Sequence, residues 1–174
     1  MLLILEIILA LIIAAIVVVA VYIYTQETEK VVFYLDKRSK AELVSETPEK
    51  ICFNIELPYN NLGQDEGVFL DIYLRPYLCQ EQYDGALLRG KINLKGKFRD
   101  DDYFECMLVP VGQANSLVMR MELTPLKAAN AREALLGMPE VDVAVFVDMR
   151  GRGPLYRQKL LVTITNEELQ AMLK

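Results

Sequence analysis

Five cations, Arg89, Lys91, Lys95, Lys97 and Arg99, fall on alternate positions of one stretch, with Asn93 in the remaining slot. On an extended chain successive side chains point to opposite faces, so this spacing would gather all five on one face. Such a stripe could hold anionic lipid headgroups, or an acidic segment of a protein partner, by summed attraction. Carboxylates across neighbouring strands would neutralise it instead, and Asp71, Glu105, Glu122, Asp142 and Asp148 fall on outward positions of their own predicted strands. Asp100, Asp101, Asp102 and Glu105 follow the stripe. Contiguous carboxylates lack the glycine and alternating ligands of a calcium loop, so a solvated turn is expected there.

Catalytic chemistry finds few candidates. The sequence contains no histidine, which removes the commonest general base, the commonest metal ligand and the usual partner of a nucleophilic Ser or Cys. Ser39, Ser45 and Ser116 lie outside any GxSxG setting, and the glycines of RGRGP at 150–154 lack the lysine and helix of a phosphate-binding loop. Cys52, Cys79 and Cys106 form no CxxC pair, so neither a zinc site nor a disulfide framework is expected. No enzyme activity, metal or cofactor is expected, apart from a carboxylate pair whose separation in space rather than in sequence would decide its chemistry. The formal charge of -5, from 24 acidic and 19 basic residues, suits a polyanion poorly, and nucleic acid is not an expected partner.

The first element that could position such groups is apolar. From Leu2 through Tyr22 and Tyr24 every residue except Glu6 is apolar, Ala or Tyr. A helix over 2–24 is about 34 Å long, enough to cross a bilayer once. No Lys or Arg precedes the run, and it continues through Val17, Val18, Val19 and Val21, so it is expected to remain as an anchor rather than be cleaved. Tyr22 and Tyr24 would meet the headgroups as an aromatic belt. Lys30, Lys37, Arg38 and Lys40 follow the helix, which places the domain on the cytoplasmic side; the unpaired cysteines and the absence of an Asn-x-Ser/Thr sequon agree with that side. Glu6 lies about 8 Å into the span, where its carboxylate can reach the headgroups and gain from the helix N-terminus, or can pair with a positive group on another chain.

The stretch LLILEIILALIIAAIVVVAVY resembles the N-terminal helix of mature type IV pilins, which carry a glutamate at the fifth position; Glu6 is fifth counted from Leu2. The resemblance covers about 22 residues and implies a subunit that assembles through this helix. The sequence after it departs from that family in being charged and mixed, without a clear amphipathic continuation.

Behind the anchor the chain divides into a juxtamembrane segment and linker at 25–50 and a β-rich domain at 51–174, with 1–24 as the transmembrane anchor. Alternation predicts strands at 51–57, closed by Pro58, and at 68–75 with Leu70, Ile72 and Leu74 inward. Further strands are predicted at 88–99 with Phe98 inward, at 103–109, and at 117–123 with Met119 and Met121 inward. Thr124-Pro125 would open a helix that Gly137 ends. Strands follow at 141–149 and 155–164, and Thr165 with Glu168 makes a capping box for a short C-terminal helix. The expected fold is mainly β: an antiparallel sandwich, Ig-like or related, of seven to eight strands with one crossover helix. The expected function is binding, by an interaction module at a membrane surface with a protein partner or through self-association. The alternative is an extracytoplasmic envelope or pilin-like subunit.

Overall fold

A computed structural model describes residues 2–25, 29–79, 81–99, 101 and 103–173, with side chains from residue 4 onward. Helix α1 is Leu2–Thr25, and every described side chain on it is exposed. Within it Ile4–Thr25 is long and apolar enough to cross a membrane, with a mean hydropathy of 3.3 over its most apolar 18 residues.

Nine strands follow among the described residues: β1 Val31–Phe33, β2 Glu42–Thr47, β3 Lys50–Asn61, β4 Gly67–Pro76, β5 Ala86–Leu94, β6 Met107–Val109, β7 Ala114–Pro125, β8 Val141–Arg150 and β9 Tyr156–Ile164. They form two antiparallel sheets, one in the order β1-β3-β7-β5 with β2 also paired to β3, the other in the order β6-β4-β8-β9. Mainly β, antiparallel and layered, this is the expected fold class, with nine strands instead of seven or eight. Alternation explains the packing: Ile51, Phe53, Ile55 and Leu57 of β3, Met119 and Met121 of β7, and the odd-numbered residues of β8 from Val141 to Met149 are all buried between the sheets. At one end of this core Phe33, Tyr59 and Phe69 meet with ring centroids 5.2–6.0 Å apart. Burial pushes the Tyr59 hydroxyl up to about 12, so it stays neutral.

Four local expectations change. The segment read as linker carries β1 and β2, both paired to β3. Pro58 does not end its strand. Its carbonyl accepts from Tyr34 N at 2.9 Å on the edge where β1 takes over from β2, so the missing N–H faces that discontinuity and not β7. In β4 the register slips between Phe69 and Asp71, so Phe69 and Ile72 are buried and Leu70 is not; one bulged residue inverts the parity that alternation assumes. The crossover helix α2 is Ala131–Gly137, ending as expected but starting late, because β7 runs through Pro125. Its cap is Asn130, which accepts from Glu133 N at 2.8 Å while the Glu133 carboxylate accepts from Ala129 N at 3.2 Å.

Helix α3 is Asn166–Met172, and the Thr165 hydroxyl accepts from Glu168 N at 3.3 Å, as a capping residue should. The Glu168 carboxylate goes elsewhere. It receives both terminal nitrogens of Arg38, at 2.7 and 2.8 Å, and Ala41 N at 2.6 Å. Arg38 also donates to Thr163 O at 2.9 Å, tying the segment between β1 and β2 to β9 and α3. Burial pushes the Glu168 carboxyl up, but the hydrogen bonds from Arg38 and Ala41 outweigh it and hold the group below the usual carboxylate range.

Candidate interaction surfaces

The five cations do not form one continuous stripe. Arg89 and Lys91 project from β5 as expected, but the strand stops at Leu94 and a turn follows, with Gly96 at φ 83° and Lys97 N bonded to Leu94 O at 2.9 Å. The left-handed Gly96 reverses the chain, so Lys97, Phe98 and Arg99 leave the sheet, and Phe98, expected inward, is 49% exposed. Cross-strand carboxylates take part of the charge. Lys95 pairs with Glu56 at 2.7 Å, and Arg89 stands in register with Glu122, which is bound to Lys50 at 2.7 Å. Arg99 is held by Asp101 at 2.6 Å, and the guanidinium draws the Asp101 carboxyl down. Of the acidic run, Asp100 and Asp102 lie outside the described residues.

The cations nevertheless share a location. The edge of β5 away from β7 has no strand partner among the described residues, and neither does the matching edge of β4 beyond Phe69. Gly90 sets their approach: a Cβ there would lie 3.0 Å from Leu74 Cδ1 of β4 and 3.1 Å from Met121 Sδ. Between the two edges opens a cleft of about 400 Å3 bordered by Tyr73, Leu74, Arg89, Lys91, Asp101 and Glu122. A second cleft of about 630 Å3 lies past the end of β5, bordered by Lys97, Phe98, Arg99, Tyr103, Met107 and Leu108. Four of the five cations therefore line two neighbouring clefts, two in each, and Lys95 lines neither. Phe98, Tyr103 and Leu108 are 49, 60 and 59% exposed, and the Cζ atoms of Arg120 and Arg99 lie over the rings of Phe98 and Tyr103, 5.3 and 5.5 Å from their centroids. Asn93, buried on β5, accepts from Arg99 N at 3.0 Å and fixes the segment that separates the clefts.

The end of the domain nearest α1 is organised by Asn61, which is fully buried. Its side-chain oxygen accepts from Lys30 N at 3.1 Å and Gly63 N at 3.0 Å, and its amide donates to Asp65 O at 2.8 Å and Val109 O at 3.0 Å. One amide thus joins the tether to the β3–β4 loop and to β6. Nothing in the turn-rich stretch around it distinguishes Asn61 from an ordinary loop residue.

On α1, Glu6 is exposed, and Tyr22 and Tyr24 are 63 and 92% exposed at the domain-side end of the helix. The side chain of Leu2 lies outside the described residues. Cys79 and Cys106 are exposed, Cys52 is buried, and all three are unpaired thiols.

No family model matches the sequence, and no curated protein matches it. Among solved structures, the chain is similar to the ApaA protein from Bordetella pertussis, with a TM-score of 0.43 and 9% identity over 80% of this chain and 96% of that one. It is similar to the GAE domain of GGA2p from Saccharomyces cerevisiae, with a TM-score of 0.35 and 11% identity over 72% and 98%. The CooA pilin subunit from enterotoxigenic Escherichia coli follows, with a TM-score of 0.32 and 11% identity over 73% and 98%. At these similarities nothing about function transfers.

Proposed function

We propose that this chain is a single-pass, membrane-anchored binding module, held by α1, whose β-sandwich receives a protein partner along the groove beside β5 and performs no catalysis. The observation that carries the reading is what borders that groove: two strand edges without strand partners among the described residues, and two neighbouring clefts lined by two cations each, with Phe98, Tyr103 and Leu108 exposed at the second. An extended segment can bond the backbone of an open edge while its side chains fill neighbouring pockets, and aromatic side chains with Arg beside them are the usual anchors of such contacts. A domain tethered to a membrane needs less intrinsic affinity for a partner confined to the same surface, because tethering raises the effective concentration. The basic residues after α1 favour the cytoplasmic side.

A second reading has one feature in its favour. Glu6, exposed within an apolar helix, is placed to pair with a positive group of a second copy, as self-assembly through α1 would require. Photo-crosslinking separates the two. A photoreactive residue at Leu108 or Phe98 of the full chain in native membranes should give a discrete adduct with a different protein, whereas one at Leu161 on the far side of the second sheet should not. Equal yields at the three sites would sink the groove; an adduct of twice the chain's mass, made from within α1, would favour assembly. An impermeant thiol reagent acting on exposed Cys79 reports the side of the membrane.

A further inference from the structure

Three loops at the tethered end of the domain each expose an apolar side chain: Leu62 after β3, Val111 between β6 and β7, and Leu155 between β8 and β9, at 52, 46 and 58%. Hydrogen bonds show that these loops share one end with the tether. Leu62 N donates to Lys30 O and Gly112 N to Asn61 O, both at 2.8 Å, and Arg152 reaches Asp65 at 3.3 Å. The tether is short. From Thr25, the last residue of α1, to Glu29 it can extend at most about 14 Å. With α1 across a bilayer, the reading on which this inference rests, Tyr22 and Tyr24 stand at headgroup level and the loop end is confined within about that distance of them. Each headgroup layer is itself roughly 6 Å deep.

We propose that the domain docks end-on against the bilayer, with Leu62, Val111 and Leu155 entering the interfacial layer of the lipid. Three apolar tips on short loops match a lipid surface, which offers an apolar phase just beneath a polar one. Cations stand beside them: Lys30, Arg150 and Arg152 are exposed, at the level where phosphate groups would lie. Among the described acids at this end, Asp65 faces Arg152 and Glu29 is buried, leaving Glu66 exposed. The Asn61 hydrogen bonds hold the β3–β4 loop and the end of β6 in place before contact, so docking costs little ordering entropy. Leu136 on α2 is also exposed, at 46%, but it lies at the opposite end, where the tether brings no lipid to it.

The test uses the full chain in phosphatidylcholine nanodiscs, with Cys79→Ser and Cys106→Ser removing the exposed thiols. Leu62→Cys, Val111→Cys, Leu155→Cys and, as control, Leu136→Cys each carry a fluorophore, quenched by lipid bearing a nitroxide near the top of the acyl chain. Several-fold stronger quenching at 62, 111 and 155 than at 136 is the expected result. Quenching at the three tips no greater than at 136 overturns the docking, and if the protein still resists alkaline extraction the anchor reading survives; loss of that resistance would overturn the anchor itself. Quenching that requires added anionic lipid would replace apolar insertion with headgroup attraction through Lys30 and Arg150. Tips shielded from a soluble thiol reagent in native membranes, yet unquenched in pure lipid, would assign this end to a protein partner.

Discussion

The two ends of the sandwich are closed by different means. At the far end α2 and α3 lie across the core, burying Leu135, Met138 and Leu169, with both helices capped and Glu168 reaching out to Arg38. Among the described residues no helix packs over the core at the tethered end. There one buried asparagine gathers the tether, the β3–β4 loop and β6, and apolar tips project outward. Stability at the far end is spread over apolar area and several polar contacts, while at the tethered end the polar part is concentrated in one side chain. A helix would have covered the loop tips; an internal amide braces the loops and leaves their outer surface available for contact.

The comparison breaks first at Asn61. Asn61→Ala removes partners from two N–H groups and two carbonyls together, with the bonds to Gly63 N and Val109 O buried and those to Lys30 N and Asp65 O part-buried; an unsatisfied buried group costs about 1–3 kcal/mol, and water relieves the part-buried ones. A loss of about 3–4 kcal/mol is expected, lowering the melting temperature of the full chain in detergent by roughly 10 °C. Asn61→Asp should fall between, since it retains the acceptor for Lys30 N and Gly63 N but turns a second oxygen toward the carbonyls of Asp65 and Val109. Melting unchanged from wild type would mean that the loops are held by something other than this amide.

At the far end the corresponding change is Glu168→Gln. It leaves an acceptor for Ala41 N but strands the guanidinium of Arg38, whose side chain is only 20% exposed, without its counter-charge. About 2 kcal/mol is expected at neutral pH, less than at Asn61 because Arg38 keeps its bonds to Ser39 O and Thr163 O. The sign of the pH dependence follows from the lowered carboxyl. Glu168 binds a proton more readily unfolded, near its ordinary 4.5, than folded, so its contribution is complete above that value and is lost as pH falls through the lower folded value. Acid melts of wild type and Glu168→Gln should therefore converge below pH 4.5 and differ fully above it. Parallel curves across that range would show that the carboxylate does not act through its charge.

These two residues also mark how far the sequence could be read. Alternation located both faces of β3, β7 and β8, because a strand buried on one side repeats every two residues and the signal is local. The same rule misplaced Leu70, since a bulge adds one residue without any local mark, and it carried the cations of β5 beyond Leu94 because a left-handed Gly96 looks like a strand residue between two lysines. Four of the five cations still line neighbouring clefts, two in each, but a turn and a crossing segment lie between the pairs. Thr165 and Glu168 were readable as a helix start. That Glu168 serves Arg38, 130 positions away, was not, and the second strand edge facing β5 is equally a product of tertiary arrangement. Asn61 illustrates the limit most sharply: an asparagine in a turn-rich stretch is ordinary, and only its burial makes it decisive.

The smallest effect is expected where exposure is greatest. Replacing Leu62, Val111 and Leu155 together by serine changes side chains that the folded chain leaves about half exposed, and surface substitutions usually change stability by no more than about 0.5 kcal/mol each. The melting temperature in detergent should therefore move by no more than about 5 °C, against the larger drop at Asn61. A drop comparable with that of Asn61→Ala would show that the tips stabilise the fold and are not available as a contact surface. Near-neutrality, together with poorer partition of the domain toward lipid, would place bracing and contact on separate residues of the same end, the amide within and the three side chains at its surface.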